Sequence, residues 1–401
     1  MQKLAAVLVM LLLTSVTPDL IGASNYTVTD LGHLAGFVGN SEARAINNYG
    51  QVVGRSAGAF LWTPTTPLGT TGSMVHIGDI PGGASDSFAF AINDYGQVVG
   101  EGQAPTGQHG FLWTPDSPNT TSGSIIDLGD LPGGVDRSHA YGINALGQVV
   151  GEGEASTGAR AFLWSPTTPN GMNGAIVDIG ELPGGANASS AVAINESGQV
   201  AGGSNDLSGR RAFRWTPDAP NGSTGSMVSL GDLPGGVGYS TAYATNATGQ
   251  VVGECDDATS TRAFLWTPDS PGKDSGTMID LGDVPGSAGA NAAYSINASG
   301  QVVGESVNNV AGQRAFLWTA DDGMRDLNDL LDGSGADWTL HIAYGINDFG
   351  QIVGLGVHEG HSRGFLLTPV IPESSYLVLV SAIALPLIRR QPRIKAQHWE
   401  N

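Results

Sequence analysis

Short apolar runs separated by polar and small residues fill the chain between residues 26 and 369, and none of them has helical spacing. One repeat contains four such runs, at 87–93 (SFAFAIN), 96–101 (GQVVGE), 110–115 (GFLWTP) and 124–131 (SIIDLGDL). Runs of this length bounded by turn residues predict β-strands. Asn93 and Gly96 join the first two runs. Because Asn can hold a turn with its side chain and Gly adopts positive φ easily, they predict a tight hairpin.

The four runs recur along the chain with a period of about fifty residues. The Gly of the Gly-Gln pair stands at positions 50, 96, 147, 198, 249, 300 and 350. Seven such repeats predict an all-β fold, a seven-bladed β-propeller of four-stranded antiparallel blades. The last repeat lacks its fourth run, and a run of that type stands at 26–32 (YTVTDLG). We therefore expect the N-terminal strand to pair with the last blade and close the ring.

Composition favours a packed, turn-rich body over a disordered chain, since 60 Gly and 21 Pro accompany 40% hydrophobic residues. Residues 26–369 hold 12 basic and 34 acidic residues, a net charge of −22. Such a body repels nucleic-acid phosphates and anionic lipid, so neither is expected as a partner. Cys255 is the single cysteine and cannot form an internal disulfide, so we expect it to be a small buried or half-buried filler.

The chain ends differ from the repeats. Residues 1–23 combine Lys3, an apolar run and a small residue at Ala23, which predicts a secretory signal peptide. The mature propeller is predicted at 24–369. An apolar stretch followed by basic residues lies near the other end. It is short for the hydrocarbon core of a bilayer and favours a sorting or anchor segment at 370–395, followed by a tail at 396–401.

Two phrases of the repeats, Ala-Ile-Asn-x-x-Gly-Gln-Val-Val-Gly and Ala-Phe-Leu-Trp-Thr-Pro, resemble the HAF family of extracellular repeats in secreted bacterial proteins. The family is named after a His-Ala-Phe triplet. The nearest triplet here is 109–111 (His-Gly-Phe), and most repeats carry Arg-Ala-Phe, as at 160–162. The resemblance covers nearly all of 26–369 and implies export without an established activity.

Residues 370–390 (VIPESSYLVLVSAIALPLIRR) resemble a PEP-CTERM sorting signal. The matching residues are Pro372, Glu373, Arg389 and Arg390, with Ser374 at the place of the second Pro. The resemblance implies export machinery and an exosortase-like sorting enzyme as partners, in the cell envelope, cell surface or extracellular matrix of a Gram-negative-type bacterium. Membrane contact is then expected only through this segment.

Six tryptophans recur at one position of the third run: Trp62, Trp113, Trp164, Trp215, Trp266 and Trp318. A ring of aromatic side chains could stack on sugars. Leu367 stands at the seventh position, however, and an apolar plug favours packing between neighbouring blades.

The loops between blades carry most of the candidate binding residues. These are His33, Asp79, Asp130, Glu181, Asp232 and Asp283, mostly followed by Leu-Pro-Gly-Gly or a close variant. They are predicted to lie on one face with the loops between the second and third strands. Acids at such positions usually hold turns, although a carboxylate ring could also collect Ca²⁺. No cofactor is predicted, and Ca²⁺ is the one ion that the pattern allows.

Four acids at the end of the second run have a base opposite them in the hairpin, and we expect ion pairs across it. The pairs are Glu101 with His109, Glu152 with Arg160, Glu254 with Arg262, and Glu305 with Arg314.

The repeats are nearly uniform, and they contain no Gly-rich phosphate-binding loop of the Walker type. Because catalysis needs unequal groups in one or two blades, we predict a non-enzymatic binding or structural module for matrix polysaccharide or a surface protein. A propeller glycoside hydrolase or polysaccharide lyase is the first alternative, since paired carboxylates abound. A calcium-dependent structural surface protein is the second.

Overall fold

The structure is a computed structural model that describes residues 25–36, 39–185, 188–236, 238–287, 289–308 and 312–370. The predicted signal peptide and the sorting residues Pro372, Glu373, Arg389 and Arg390 lie outside these ranges. Within them, no helix has the length and apolar character needed to cross a bilayer. Thr27–Thr368 forms one compact body.

The body consists of β-strands joined by turns, with two short 3-10 turns at Leu327–Leu330 and Gly333–Gly335. The N-terminal strand and the first three units comprise β1 (Tyr26–Asp30), β2 (Glu42–Ile46), β3 (Val52–Arg55), β4 (Ala59–Pro64), β5 (Gly72–His76), β6 (Ser87–Ile92), β7 (Val98–Gln103), β8 (Gln108–Pro115), β9 (Gly123–Asp127), β10 (Gly133–Ile143), β11 (Val149–Ala155), β12 (Gly158–Pro166) and β13 (Gly174–Asp178). The later units comprise β14 (Ser189–Ile194), β15 (Val200–Asp206), β16 (Gly209–Pro217), β17 (Gly225–Ser229), β18 (Ser240–Thr245), β19 (Val251–Asp256), β20 (Thr261–Pro268), β21 (Gly276–Asp280), β22 (Asn291–Ile296), β23 (Val302–Asn308), β24 (Gly312–Thr319), β25 (Gly323–Asp326), β26 (Trp338–Ile346), β27 (Ile352–His358) and β28 (His361–Pro369).

These strands form six sheets in the described residues, and five of them are four-stranded and antiparallel. The second and third units share the sixth, eight-stranded sheet. Their strands meet because β10 is 11 residues long, and Arg137 in its extended first half pairs in parallel with Gln108 of β8. The prediction of four-stranded antiparallel sheets is thus confirmed in part, and the separation of all seven units into their own sheets is not seen.

The N-terminal strand completes the last sheet, whose order is β1-β28-β27-β26. The backbone N–H of Leu31 donates to the carbonyl of Gly364 at 3.1 Å, directly after β1. The expected pairing of the first strand with the last three is therefore confirmed.

A ring of asparagines links the ends of the first strands, which we call the inner strands. The asparagine ring consists of Asn47, Asn93, Asn144, Asn195, Asn246, Asn297 and Asn347. Each side-chain amide donates to the backbone carbonyl of the next asparagine, and that of Asn347 donates to Asn47 at 3.1 Å, which closes the cycle. Each side-chain oxygen also holds the predicted turn, as where Asn93 accepts the N–H of Gln97 at 2.9 Å.

The repeated tryptophans are packing residues. Trp113 is 2% exposed and packs with Val53 and Leu61 of the preceding unit. Leu367, at the equivalent place in the last unit, is fully buried. Cys255 is also buried, as predicted, and burial raises the pKa of its thiol. Packing between neighbouring units therefore uses the most uniform positions of the repeat.

Candidate functional site in the central channel

Three acids of the predicted loop face pair with arginines of the third strands. Glu181 lies 2.8 Å from Arg160, and Asp232 lies 2.7 Å from Arg211, measured between carboxylate oxygen and Nη1. Arg262 Nη1 donates to both carboxylate oxygens of Asp283, at 2.8 and 2.9 Å, and Asn291 Nδ2 donates to one of them at 2.7 Å. These arginines neutralise much of the carboxylate charge that the sequence places on the loops.

Two of the other three predicted loop residues contact groups that are close to them in the chain. Asp79 accepts a hydrogen bond from Ser87 Oγ at 2.8 Å, and His33 Nδ1 lies 3.2 Å from the carbonyl of Leu34. Asp130 is half-buried in the loop after β9. Across the described residues, no three His, Cys, Asp or Glu side chains are grouped so that they could hold a metal ion.

The prediction of ion pairs across the hairpins that join the second and third strands is wrong. Glu152 lies opposite Ala161, whereas Arg160 lies opposite Gly153. Since side chains alternate between the two faces of a strand, this one-residue offset sends Glu152 and Arg160 to opposite faces. The arginines face the loop acids, and Glu101 instead forms a short contact with His139 Nδ1.

Every inner strand contains a one-residue β-bulge at the same place. In β18 the register shifts between Ala242 and Ala244, so that Tyr243 is the extra residue. The seven extra residues form what we call the bulge ring: Arg44, Phe90, Tyr141, Val192, Tyr243, Tyr294 and Tyr344. All seven are half-buried. Bulges re-aim side chains and are common beside binding sites, which makes this ring the candidate site.

A glycine of the second strand makes each bulge possible. A Cβ added to Gly253 would lie 2.0 Å from the carbonyl oxygen of Thr241, two residues before the bulged Tyr243. Equivalent contacts of 1.9–2.0 Å occur at Gly54, Gly100, Gly151, Gly202, Gly304 and Gly354. The last Gly of each Gly-Gln-x-x-Gly phrase is therefore needed because the backbone of the inner strand approaches it closely.

Aromatic contacts connect most of the bulge ring. The ring centroids of Tyr243 and Tyr294 are 5.4 Å apart, and those of Tyr294 and Tyr344 are 5.5 Å apart. The guanidinium of Arg44 lies 4.0 Å from the centroid of Tyr344. In the second and third units, the ring centroids of Phe90 and Tyr141 are 5.4 Å apart. Together these side chains line the space enclosed by the inner strands, which we call the central channel.

Glutamates of the second strands hold the tyrosine hydroxyls. Tyr243 Oη donates to Glu254 Oε1 at 2.8 Å, and Tyr294 Oη donates to Glu305 Oε1 at 2.6 Å. Burial, followed by the nearby carboxylates, raises the pKa of both tyrosines well above the ordinary value. These hydroxyls are thus neutral donors at physiological pH, and the arrangement suits recognition of a polar ligand more than nucleophilic attack.

A polar cavity of about 210 Å³ lies at the asparagine ring. Its lining includes several of the residues that directly follow the ring asparagines in the chain. Asp94 and Asp348 both bind the side-chain amide of Asn48, at 3.1 and 2.9 Å. Glu196 accepts the N–H of Ala145 at 3.0 Å. Partial desolvation in this cavity raises the pKa of Glu196, the hydrogen bond from Ala145 lowers it, and the charges of Asp94 and Asp348 raise it, with a net rise. These acids clamp neighbouring turns to one another.

Sequence reasoning missed the bulge ring, although two signals were present. The second residue of the A-x-A-I-N phrase is aromatic in most units, while the residues on either side of it are small. The Gly that recurs in the second strand of every unit is a further sign of a bulge.

No curated protein matches the chain. Among solved structures, the sialidase of Trypanosoma rangeli in complex with the inhibitor DANA is similar at 11% identity and a TM-score of 0.41. The match covers 74% of this chain and 58% of that chain. Residues 184–365 match the family model described as "Protein of unknown function (DUF3466)", a span shorter than half of the chain.

Proposed function

We propose that this protein is an exported seven-bladed β-propeller that binds extracellular polysaccharide without cleaving it, through the bulge ring of the central channel. The closed asparagine ring, which joins seven inner strands, supports the count of seven blades, with the second and third blades fused along β8 and β10. The half-buried aromatic side chains of the bulge ring carry the functional proposal. Their faces suit the apolar side of a sugar ring, while hydroxyls and carboxylates beside them suit its polar groups.

Binding is favoured over catalysis by the state of the polar groups. The hydroxyls of Tyr243 and Tyr294 are protonated donors, and their glutamate partners are already engaged as acceptors. A glycoside hydrolase or lyase at this site is the rival, and a surface protein is the rival ligand. Calcium-dependent stability is a third possibility, which predicts a melting temperature that rises when Ca²⁺ is added.

The test is a glycan array followed by titration calorimetry with the purified full-length protein. We expect binding without release of reducing ends. Tyr294→Ala is expected to weaken the binding of the titrated glycan, because the substitution interrupts the run of aromatic side chains in the bulge ring. Tyr95→Ala removes a half-buried tyrosine in the turns that end the inner strands and is the matched control. Turnover of any glycan, or equal binding by both variants, would contradict the proposal.

The export route is a separate proposal. We propose that the signal peptide is removed and that an exosortase-like enzyme processes the segment after residue 370. Intact-mass measurement of the protein recovered from envelope and medium fractions tests this. A mature chain that keeps residues 1–23, or one that is found only in the cytoplasm, would contradict it.

A further inference from the structure

The fourth unit (β14–β17) breaks the aromatic run of the bulge ring. Its member is Val192, the one aliphatic residue among the seven. Tyr141 and Tyr243 stand in the neighbouring units on either side. The smaller side chain leaves a gap between two tyrosines, in a ring where four other neighbouring pairs are in contact.

The same unit also differs in charge. Four of the seven units carry glutamate one residue after the bulge-facing glycine, whereas the first carries Arg55, the seventh Leu355 and the fourth Gly203. The guanidinium of Arg210 occupies the vacated space, since a Cβ on Gly203 would lie 2.6 Å from Arg210 Nε and Nη2. A guanidinium therefore stands in the fourth unit where four other units place a carboxylate.

Arg210 is free of the ion pairs that hold its neighbours. Its Nε donates to Thr241 Oγ1 at 3.1 Å, and within the described residues no carboxylate oxygen lies within 4.0 Å of it. The adjacent Arg211 lies 2.7 Å from Asp232. Because the body is strongly acidic, most arginines have carboxylate partners. The guanidinium of Arg210 has none among the described residues, so it is able to pair with an anionic ligand.

These features meet in one pocket of about 320 Å³, which we call the fourth-unit pocket. Its lining includes Tyr141, Val192, Arg210, Tyr239, Thr241 and Tyr243. Tyr239 and Tyr243 both donate to Glu254 Oε1, at 3.1 and 2.8 Å, so their rings are held in place. The volume is at the small end of the range for ligand sites and suits a single ring with its substituents.

We propose that the fourth-unit pocket binds one carboxylate-bearing sugar ring of an acidic polysaccharide. The tyrosines pack against the sugar ring, and the guanidinium of Arg210 pairs with its carboxylate. The surrounding acidic surface repels such a polymer, which confines its binding to this pocket. The inference rests on the proposed polysaccharide binding and specifies its ligand and its subsite.

The test is calorimetric titration of the full-length protein with oligogalacturonate and with a neutral galactan oligomer of equal length. We expect the uronate to bind more tightly. Arg210→Gln is expected to weaken uronate binding about tenfold or more, since a charge-assisted hydrogen bond is lost. Arg211→Gln removes the same charge from the next residue and is expected to leave binding within about twofold, because its side chain faces Asp232.

Two further variants restore the residue types of the other units. Gly203→Glu returns the glutamate and displaces only the flexible end of Arg210, while Val192→Tyr fills the gap. Both are expected to abolish uronate binding and to keep the wild-type melting temperature. Equal affinity for the two oligomers with no effect of Arg210→Gln would overturn this inference and leave polysaccharide binding standing. Failure of every glycan to bind would overturn both proposals.

Discussion

The asparagine ring and the bulge ring lie on the same seven inner strands, only three residues apart, yet they differ in kind. The asparagine ring has one residue type at all seven positions, and its members are buried and fully bonded. The bulge ring contains five aromatic residues, Arg44 and Val192, all half-buried. The repeat is therefore uniform where neighbouring units hold each other and variable where side chains face the channel. Function is to be sought at the variable positions.

The largest effect is expected from a break in the asparagine ring. Asn195→Ala removes donors to Gln199 and to the carbonyl of Asn246, together with the acceptor of two backbone N–H groups. Each buried group left without a partner costs about 1–3 kcal/mol, so we expect a loss of about 3 kcal/mol or more. Denaturant unfolding measures it. Val192→Ala, in the bulge ring of the same strand, should cost about 1 kcal/mol, and equal losses would refute the contrast.

A second variant tests the glycine on which each bulge depends. Gly253→Ala places a Cβ against the backbone carbonyl of Thr241, which cannot move without the whole inner strand. We expect overpacking to lower the free energy of unfolding by about 1–3 kcal/mol. We also expect weaker glycan binding, because the displaced bulge no longer directs the Tyr243 side chain into the channel. Gly333→Ala is the control, since a Cβ there meets nothing within 4 Å. Unchanged stability and binding would show that the bulge tolerates a side chain.

A third variant replaces a buried arginine, Arg214, by the leucine that the other units carry at the same position. Arg214 is fully buried where the other units carry leucine, and it pairs at 2.9 Å with the half-exposed Asp274. Its Nε and Nη1 are buried without a hydrogen-bond partner. Because a buried charge is costly, Arg214→Leu is expected to stabilise the protein by about 1 kcal/mol, read as a higher melting temperature. A lower melting temperature would mean that the ion pair contributes more than its desolvation costs.

The smallest effect concerns pH. His109 replaces the third-strand arginine of later units and lies between Asp127 and Asp136, at 2.8 and 2.7 Å. Burial lowers the pKa of His109, but hydrogen bonds and charges from both aspartates outweigh it, so the pKa is raised. The charged form therefore stabilises the fold at pH values below the ordinary pKa of about 6.5, and this contribution is lost as pH rises through the folded pKa.

His109→Arg keeps the positive charge over the whole range. We therefore expect the melting temperature of the wild type to fall relative to this variant between about pH 6 and pH 8. Thermal unfolding scans of both proteins in matched buffers measure the difference between their melting temperatures. Groups other than residue 109 titrate alike in both proteins, so their effects cancel in this difference. A constant difference would mean that His109 does not change its charge in this range.

Local signals in the sequence were enough for the strands, the hairpins and the closure of the ring. The Asn-x-x-Gly turns form because the side chain of Asn93 and the positive φ of Gly96 act within four residues. The missing last run and the extra first run implied the pairing of β1 with β28. The tryptophans could be assigned to packing because Leu367 substitutes for one of them.

Only the tertiary structure decided where side chains point and which charges meet. A one-residue bulge turned Tyr243 toward the channel, and a one-residue offset sent Arg160 toward Glu181 instead of Glu152. Strand geometry has a period of two, so a single inserted residue changes the face of everything that follows. The fourth-unit pocket likewise joins Arg210 to Tyr141 and Tyr243, which lie in different units. Their meeting depends on the packing of neighbouring strands, which local sequence pattern does not encode.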